Sequence, residues 1–188
     1  SFGHISNFSM GSDIADYDND GLLDIYIVDM VAEDNKRIKT YMGGMNPSDF
    51  WKVVNSGGHY QYMYNTLQRN NGNGYFSDMA QIAQVSNTDW SWGPLIADFD
   101  NDSYKDIFIT NGIKRNMRHS DITQRQKEYI DSIRQTLAPN GISLDNLNLL
   151  KLAQMAPLDT LPNYIYKNNG DLSFTKMIDS WGFKHSTL

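Results

Sequence analysis

The sequence predicts a mainly β fold of about two repeated sheet units with a helical-hairpin insertion. Three observations carry that prediction. An aspartate-rich segment occurs twice, an Asn-Asn-Gly segment occurs twice in alternation with it, and the stretch from Lys114 to about Pro162 breaks the β pattern. Residues 8–30 read FSMGSDIADYDNDGLLDIYIVDM and residues 90–112 read WSWGPLIADFDNDSYKDIFITNG. Aligned without gaps, close to half of these positions are identical, and Tyr17/Phe99 and Tyr26/Phe108 exchange like for like. NTLQRNNGNGYF begins at Asn65 and NYIYKNNGDLSF at Asn163. Segments recurring in fixed order mark a supersecondary unit that buries its face on its neighbour.

Each element has a local reason. Asp24-Ile-Tyr-Ile-Val and Asp106-Ile-Phe-Ile-Thr are β-branched and aromatic runs of strand length. Ile14-Ala15 and Leu95-Ile96-Ala97 are short apolar runs just before each aspartate segment, so each such segment is a loop joining two strands. Asn70-Asn71-Gly72 and Asn168-Asn169-Gly170 supply residues that tolerate positive φ, as tight hairpins demand. Asn46-Pro47 reads as an N-cap with proline at the first helical position, opening a short helix with Phe50, Trp51 and Val54 that ends at Gly57-Gly58. Ser120 caps a helix through Leu137 with Ile122, Tyr129, Ile130 and Ile133 on or near one face. Pro139-Asn140-Gly141 turns, and Ser143 caps a second helix from Leu144 to about Met155. The expected division is residues 1–113 for the sheet units with both loops, 114–162 for a helical insertion between units, and 163–188 for the start of the next unit. Applying the spacing between Asn71 and Asp98 to Asn169 places another aspartate loop beyond Leu188. Applied backwards from Asp16, it places the preceding hairpin before residue 1. The chain is therefore expected to be a slice of a longer repeat protein, and its opening on Ser1-Phe2-Gly3 reads as a cut or a processed product.

Composition narrows the class. Of the 188 residues, 40% are hydrophobic and 12% aromatic, enough for a folded core. The net charge of −6 argues against nucleic acid or an anionic membrane surface as partner. Cysteine is absent, so disulfides and thiolate metal sites are excluded. No apolar run approaches the ~18 residues that span a bilayer.

The aspartate loops carry the chemistry. Asp16, Asp18, Asp20 and Asp24 stand at positions 1, 3, 5 and 9 of D-x-D-x-D-G-x-x-D, and Asp98, Asp100, Asp102 and Asp106 repeat the spacing. Alternate positions of a tightly turning loop point inward, so several carboxylates converge and need a cation. All-oxygen ligation favours calcium, which takes 6–8 hard oxygens, one ion per loop. The backbone carbonyls of Leu22 and Tyr104, at position 7, would complete the protein shell. This is not an EF-hand, because position 12, where that motif has glutamate, is Ile27 or Ile109 and the flanks are strands. Ser103 stands where the first loop has glycine, which makes the second turn costlier if that residue needs positive φ.

Other residues give weaker signals. His4, His59, His119 and His185 are scattered and form no metal-ligand spacing. Tyr60, Tyr62 and Tyr64 alternate along one strand face, and Trp90 and Trp92 do so beside the second loop. Packing between units explains these rings more simply than a sugar-stacking platform. Residues 114–118, KRNMR, form a small basic patch that reads as a solvated loop. No nucleophile–base pair, phosphate loop or catalytic metal motif is visible, so the chain is expected to be a binding module and not an enzyme.

The loop motif and the N-N-G-x-G-x-F hairpin resemble the FG-GAP/VCBS repeat, the blade of the integrin α-subunit β-propeller. Both patterns match residue by residue except at Ser103 and at Leu172, which replaces the second hairpin glycine. The stretches NTLQRNNGNG, SNTDWSWGPLIADFDND, TNGIKRN and PNYIYKNNGDLSF are similar to bacterial VCBS-repeat surface proteins of the ASPIC/UnbV and cartilage acidic protein group. The resemblance implies a partial β-propeller of about two blades, calcium in both loops, and export to the periplasm, outer membrane or exterior. It implies a scaffold for recognition or adhesion towards a protein or carbohydrate ligand, completed by further blades of the same longer chain. The alternative is the accessory propeller of a polysaccharide-degrading enzyme.

Overall fold

The computed structural model describes residues 1–41, 46–115, 120–137 and 149–183. In chain order the first half contains β1 (Ile5–Ser6), β2 (Gly11–Ala15), β3 (Asp24–Val28), β4 (Met30–Val31), α1 (Asn35–Tyr41), α2 (Pro47–Asn55), β5 (Gln61–Tyr62), β6 (Thr66–Asn70) and β7 (Phe76–Asp78). The second half contains β8 (Asp89–Ala97), β9 (Asp106–Asn111), α3 (Ser120–Leu137), α4 (Leu149–Gln154), β10 (Tyr164–Asn168) and β11 (Phe174–Lys176). Two antiparallel sheets of like order result. The first runs β2-β3-β6-β7, and the second β8-β9-β10-β11 with β4 added beside the start of β8. The fold is mainly β, a partial β-propeller.

In such a meander the first and third turns share one end of the sheet and the second connection leaves from the other. The aspartate loops are first turns, between β2 and β3 and between β8 and β9. The Asn-Asn-Gly hairpins are third turns, so sheet order alone brings each hairpin beside a loop. The second connection is long in both sheets and holds α1 and α2 in one, α3 and α4 in the other.

The helical insertion therefore lies inside the second sheet, between β9 and β10, where a position between units was expected. The segment expected to start the next unit likewise does not open a new sheet within its described residues: Tyr164, Ile165 and Tyr166 pair with Ile109, Phe108 and Ile107. The physical reason is the free edge of β9, whose backbone groups need a partner and find it in the next β-prone run.

The two sheets share one core. Tyr17, Tyr26, Val28 and Leu67 of the first pack in the same cluster as Ile96, Ile107, Ile109, Tyr166 and Phe174 of the second. At the junction β2 lies against β8, where the Ile96 N–H donates to Asp13 Oδ2 at 2.7 Å. A Cβ on Gly11 would sit 2.5 Å from the Trp92 carbonyl oxygen and 2.9 Å from Gly93 Cα, so glycine sets this approach.

Helix α2 begins and ends where the sequence placed it. The Asn46 side chain accepts from the Ser48 N–H at 3.0 Å, Pro47 leads, and Gly57 follows at φ +90°. Helix α3 spans the expected residues, with Ile122 buried and Tyr129, Ile130 and Ile133 half-buried. The turn at Pro139–Gly141 and the start at Leu144 fall outside the described residues. Helix α1 was not anticipated. Asp34 caps it by accepting from the Arg37 N–H at 3.0 Å, and Arg37 fastens it to Asp89 of β8 and to Asp159.

Candidate metal centre

The two loops are built alike. In the first, the Asp16 carboxylate accepts from the Asp20 and Gly21 N–H groups at 3.1 and 3.0 Å. In the second, Asp98 accepts from Asp102 and Ser103 at 3.2 and 2.9 Å. Asp20 accepts from the Leu22 N–H and Asp102 from the Tyr104 N–H, each at 2.9 Å. Asn19 and Gly21 have φ of +59° and +86°, and Asn101 and Ser103 have +62° and +75°. Ser103 thus adopts the left-handed conformation that glycine takes without strain.

The last aspartate of each loop is fully buried. Asp24 accepts from the Tyr17 N–H at 3.2 Å and the Asn70 N–H at 2.8 Å. Asp106 accepts from Phe99 at 3.0 Å and Asn168 at 2.9 Å. Burial raises both carboxyls above the usual range, the backbone donors oppose it, and neighbouring carboxylates add to it. Charge of the opposite sign nearby would relieve that strain.

Asp16, Asp18 and Asp24 bring one oxygen each to within 4.8 Å of one another, and Asp98, Asp100 and Asp106 do the same. At that separation two carboxylates repel by roughly 3 kcal/mol at an effective dielectric of ~20. The Asp18 side chain is 6% exposed, and its Oδ1 is buried with no hydrogen-bond partner. A buried acceptor without a donor is destabilising, and a hard cation supplies what it lacks. The residues therefore fit a calcium ion. Asp20 and Asp102 stand outside these triads: beyond the loop backbone, they meet basic side chains. Arg69 pairs with Asp18 and Asp20, and Lys167 with Asp100 and Asp102.

Arg69 and Lys167 were not anticipated, although a basic residue precedes Asn-Asn-Gly in both hairpins. The first asparagine of each hairpin also acts differently from expectation. Positive φ falls on Gly72 and Gly170, both +74°, and further on at Gly74 and Leu172. The asparagine amides serve as staples. Asn70 Nδ2 donates to the Leu23 carbonyl at 3.2 Å, and Asn168 Nδ2 to those of Lys105 at 3.0 Å and Tyr17 at 2.8 Å. That last bond joins the second sheet to the first loop.

Among the remaining aromatic and histidine candidates, His4, Tyr62, Tyr64 and Trp92 have structural surroundings, while His59 and Tyr60 are exposed. His4 Nε2 hydrogen-bonds with Asp78 and with the Tyr64 hydroxyl, each at 2.8 Å. Tyr62 and Tyr64 stack at 5.8 Å, and Phe50 of α2 stacks on Tyr62 at 5.4 Å. Trp92 is about half exposed and donates its indole N–H to the Gly112 carbonyl. His119, His185 and residues 116–118 of the basic patch lie outside the described residues.

Matching loops, matching staples and a hairpin set against each loop describe one repeat used twice. Residues 52–109 match the FG-GAP-like repeat. The match runs from α2 to β9 and contains the first Asn-Asn-Gly hairpin and the second aspartate loop, while the first loop repeats that loop's hydrogen bonds. Neither a curated protein nor a solved structure matches the chain. FG-GAP-like repeats are propeller blades, in keeping with the two sheets.

Proposed function

We propose that each aspartate loop binds one calcium ion and that the chain is a calcium-stabilised, non-catalytic propeller scaffold. Its place is in an exported protein, for recognition or adhesion towards a protein or glycan. The observation that carries the calcium reading is the pair of carboxylate triads, with the partnerless buried Asp18 Oδ1 in the first. Asp16, Asp18 and Asp24 would hold one ion and Asp98, Asp100 and Asp106 the other. Asp20 and Asp102 would contribute charge, and the carbonyls of Leu22 and Tyr104 further oxygens. The ion supplies positive charge where buried Asp24 and Asp106 are least tolerant of being ionised. Extracellular calcium modules work at dissociation constants of ~10⁻⁴–10⁻³ M, the range expected of these loops in an exported protein. The likeness of its motifs to VCBS-repeat surface proteins supports that placement.

Titration calorimetry tests the reading. Two calcium sites are expected in the millimolar range or tighter, with Asp18→Ala removing one and Asp100→Ala the other. Because binding favours the folded state, saturating calcium raises Tm and chelator lowers it. No binding heat at millimolar calcium, or a melt indifferent to chelator, would overturn the proposal.

A further inference from the structure

We infer that Arg69 and Lys167 are tethered counter-cations that hold the loops together when calcium is absent and weaken calcium binding when it is present. This rests on the calcium reading of the loops. The two residues occupy the same place in their sheets: each is the last but one residue of the third strand, directly before the stapling asparagine. Each reaches the carboxylates at loop positions 3 and 5. Arg69 Nη2 donates to Asp20 Oδ2 at 3.1 Å and its Nε to Asp18 Oδ2. Lys167 Nζ donates to Asp102 Oδ2 at 2.6 Å and to Asp100 Oδ2. The same pairing in both sheets, made once by a guanidinium and once by an ammonium, points to a demand for positive charge and not for one hydrogen-bond geometry.

The oxygens are divided. Asp18 gives Oδ2 to Arg69 and keeps Oδ1 buried and partnerless. Arg69 therefore leaves the inward oxygen to an ion while facing that ion across one carboxylate. It orients Asp18, which favours binding, and it repels a dication, which opposes it. A unit charge roughly 8 Å from a dication, screened as in water, weakens binding on the order of sixfold, and more where solvent is excluded. The loop backbone gives Asp18 no hydrogen bond, but its side chain is already packed in place by burial, so orienting this one short carboxylate contributes less and repulsion wins.

The test uses the whole chain and its Arg69→Gln, Lys167→Gln and Arg69→Lys variants, with calcium chloride as probe. Calorimetry at low salt is expected to show Arg69→Gln and Lys167→Gln each tightening one site on the order of tenfold. The gain shrinks at high salt, and Arg69→Lys stays near wild type. In chelator both glutamine variants melt below wild type, because the carboxylates have lost their only cation among the described residues. Two sites with affinities unchanged or weakened in the glutamine variants would overturn this inference and leave the calcium reading standing. Absence of binding heat in every protein would overturn both.

Discussion

Ser103 shows at the scale of one residue how the two repeats differ. Its φ of +75° matches the +86° of Gly21, yet it carries a side chain that disfavours that region. Ser103→Gly is therefore expected to stabilise the protein by about 0.5–1 kcal/mol, the relief of strain exceeding the entropy that glycine adds to the unfolded chain. Denaturant melts in chelator and in calcium check this, with a gain expected in both. The carboxylates of the loops were legible because their spacing is periodic and their chemistry admits few uses. Arg69 and Lys167 were not, because a basic residue has many uses on a surface. Only sheet order shows which acid each one faces. The stapling asparagines were hidden for a related reason: Asn-Gly announces a turn so strongly that the amide's second role leaves no trace in sequence.

Among elements, the junction of β2 with β8 is the most exacting contact. Gly11 has an ordinary backbone, so only space argues for it there. Gly11→Ala would press a methyl against the Trp92 carbonyl at 2.5 Å, within backbone that cannot rotate away. A loss of about 1–3 kcal/mol is expected, read as a lowered denaturant midpoint, with the calcium stoichiometry unchanged. The strands flanking the loops, helix α2 and helix α3 were all legible, because each has a periodic pattern or a cap. Helix α1 was not: its seven residues show no strong apolar face, and its anchor is the ion pair from Arg37 to Asp89 and Asp159, distant in sequence. Strands β1 and β5 are two residues each and pair in parallel across much of the first half, beyond the reach of any local signal. The place of the helical insertion was not legible, because residues 114–162 separate two sequences that are neighbours in one sheet.

At the scale of the molecule, the sheets are not independent bodies. The core runs through both, Asn168 bonds the Tyr17 carbonyl, and Asn19 Nδ2 donates to the Ser103 carbonyl at 3.1 Å between the loops. Thermal unfolding is therefore expected as one cooperative transition with equal calorimetric and van't Hoff enthalpies, and Asp18→Ala should shift it whole without splitting it. Two resolved transitions would show that each sheet melts alone. Sheet order has one more consequence. Loops and hairpins gather at one end, and in both sheets the long helical connections leave from the other. Compared within this single chain, the two halves agree at about half their positions at the first end, yet share neither length nor sequence at the second. A duplicated unit has thus kept one pole close to a common pattern while the opposite pole drifted, and the drifting pole is where foreign peptide could be spliced without disturbing the aspartate loops.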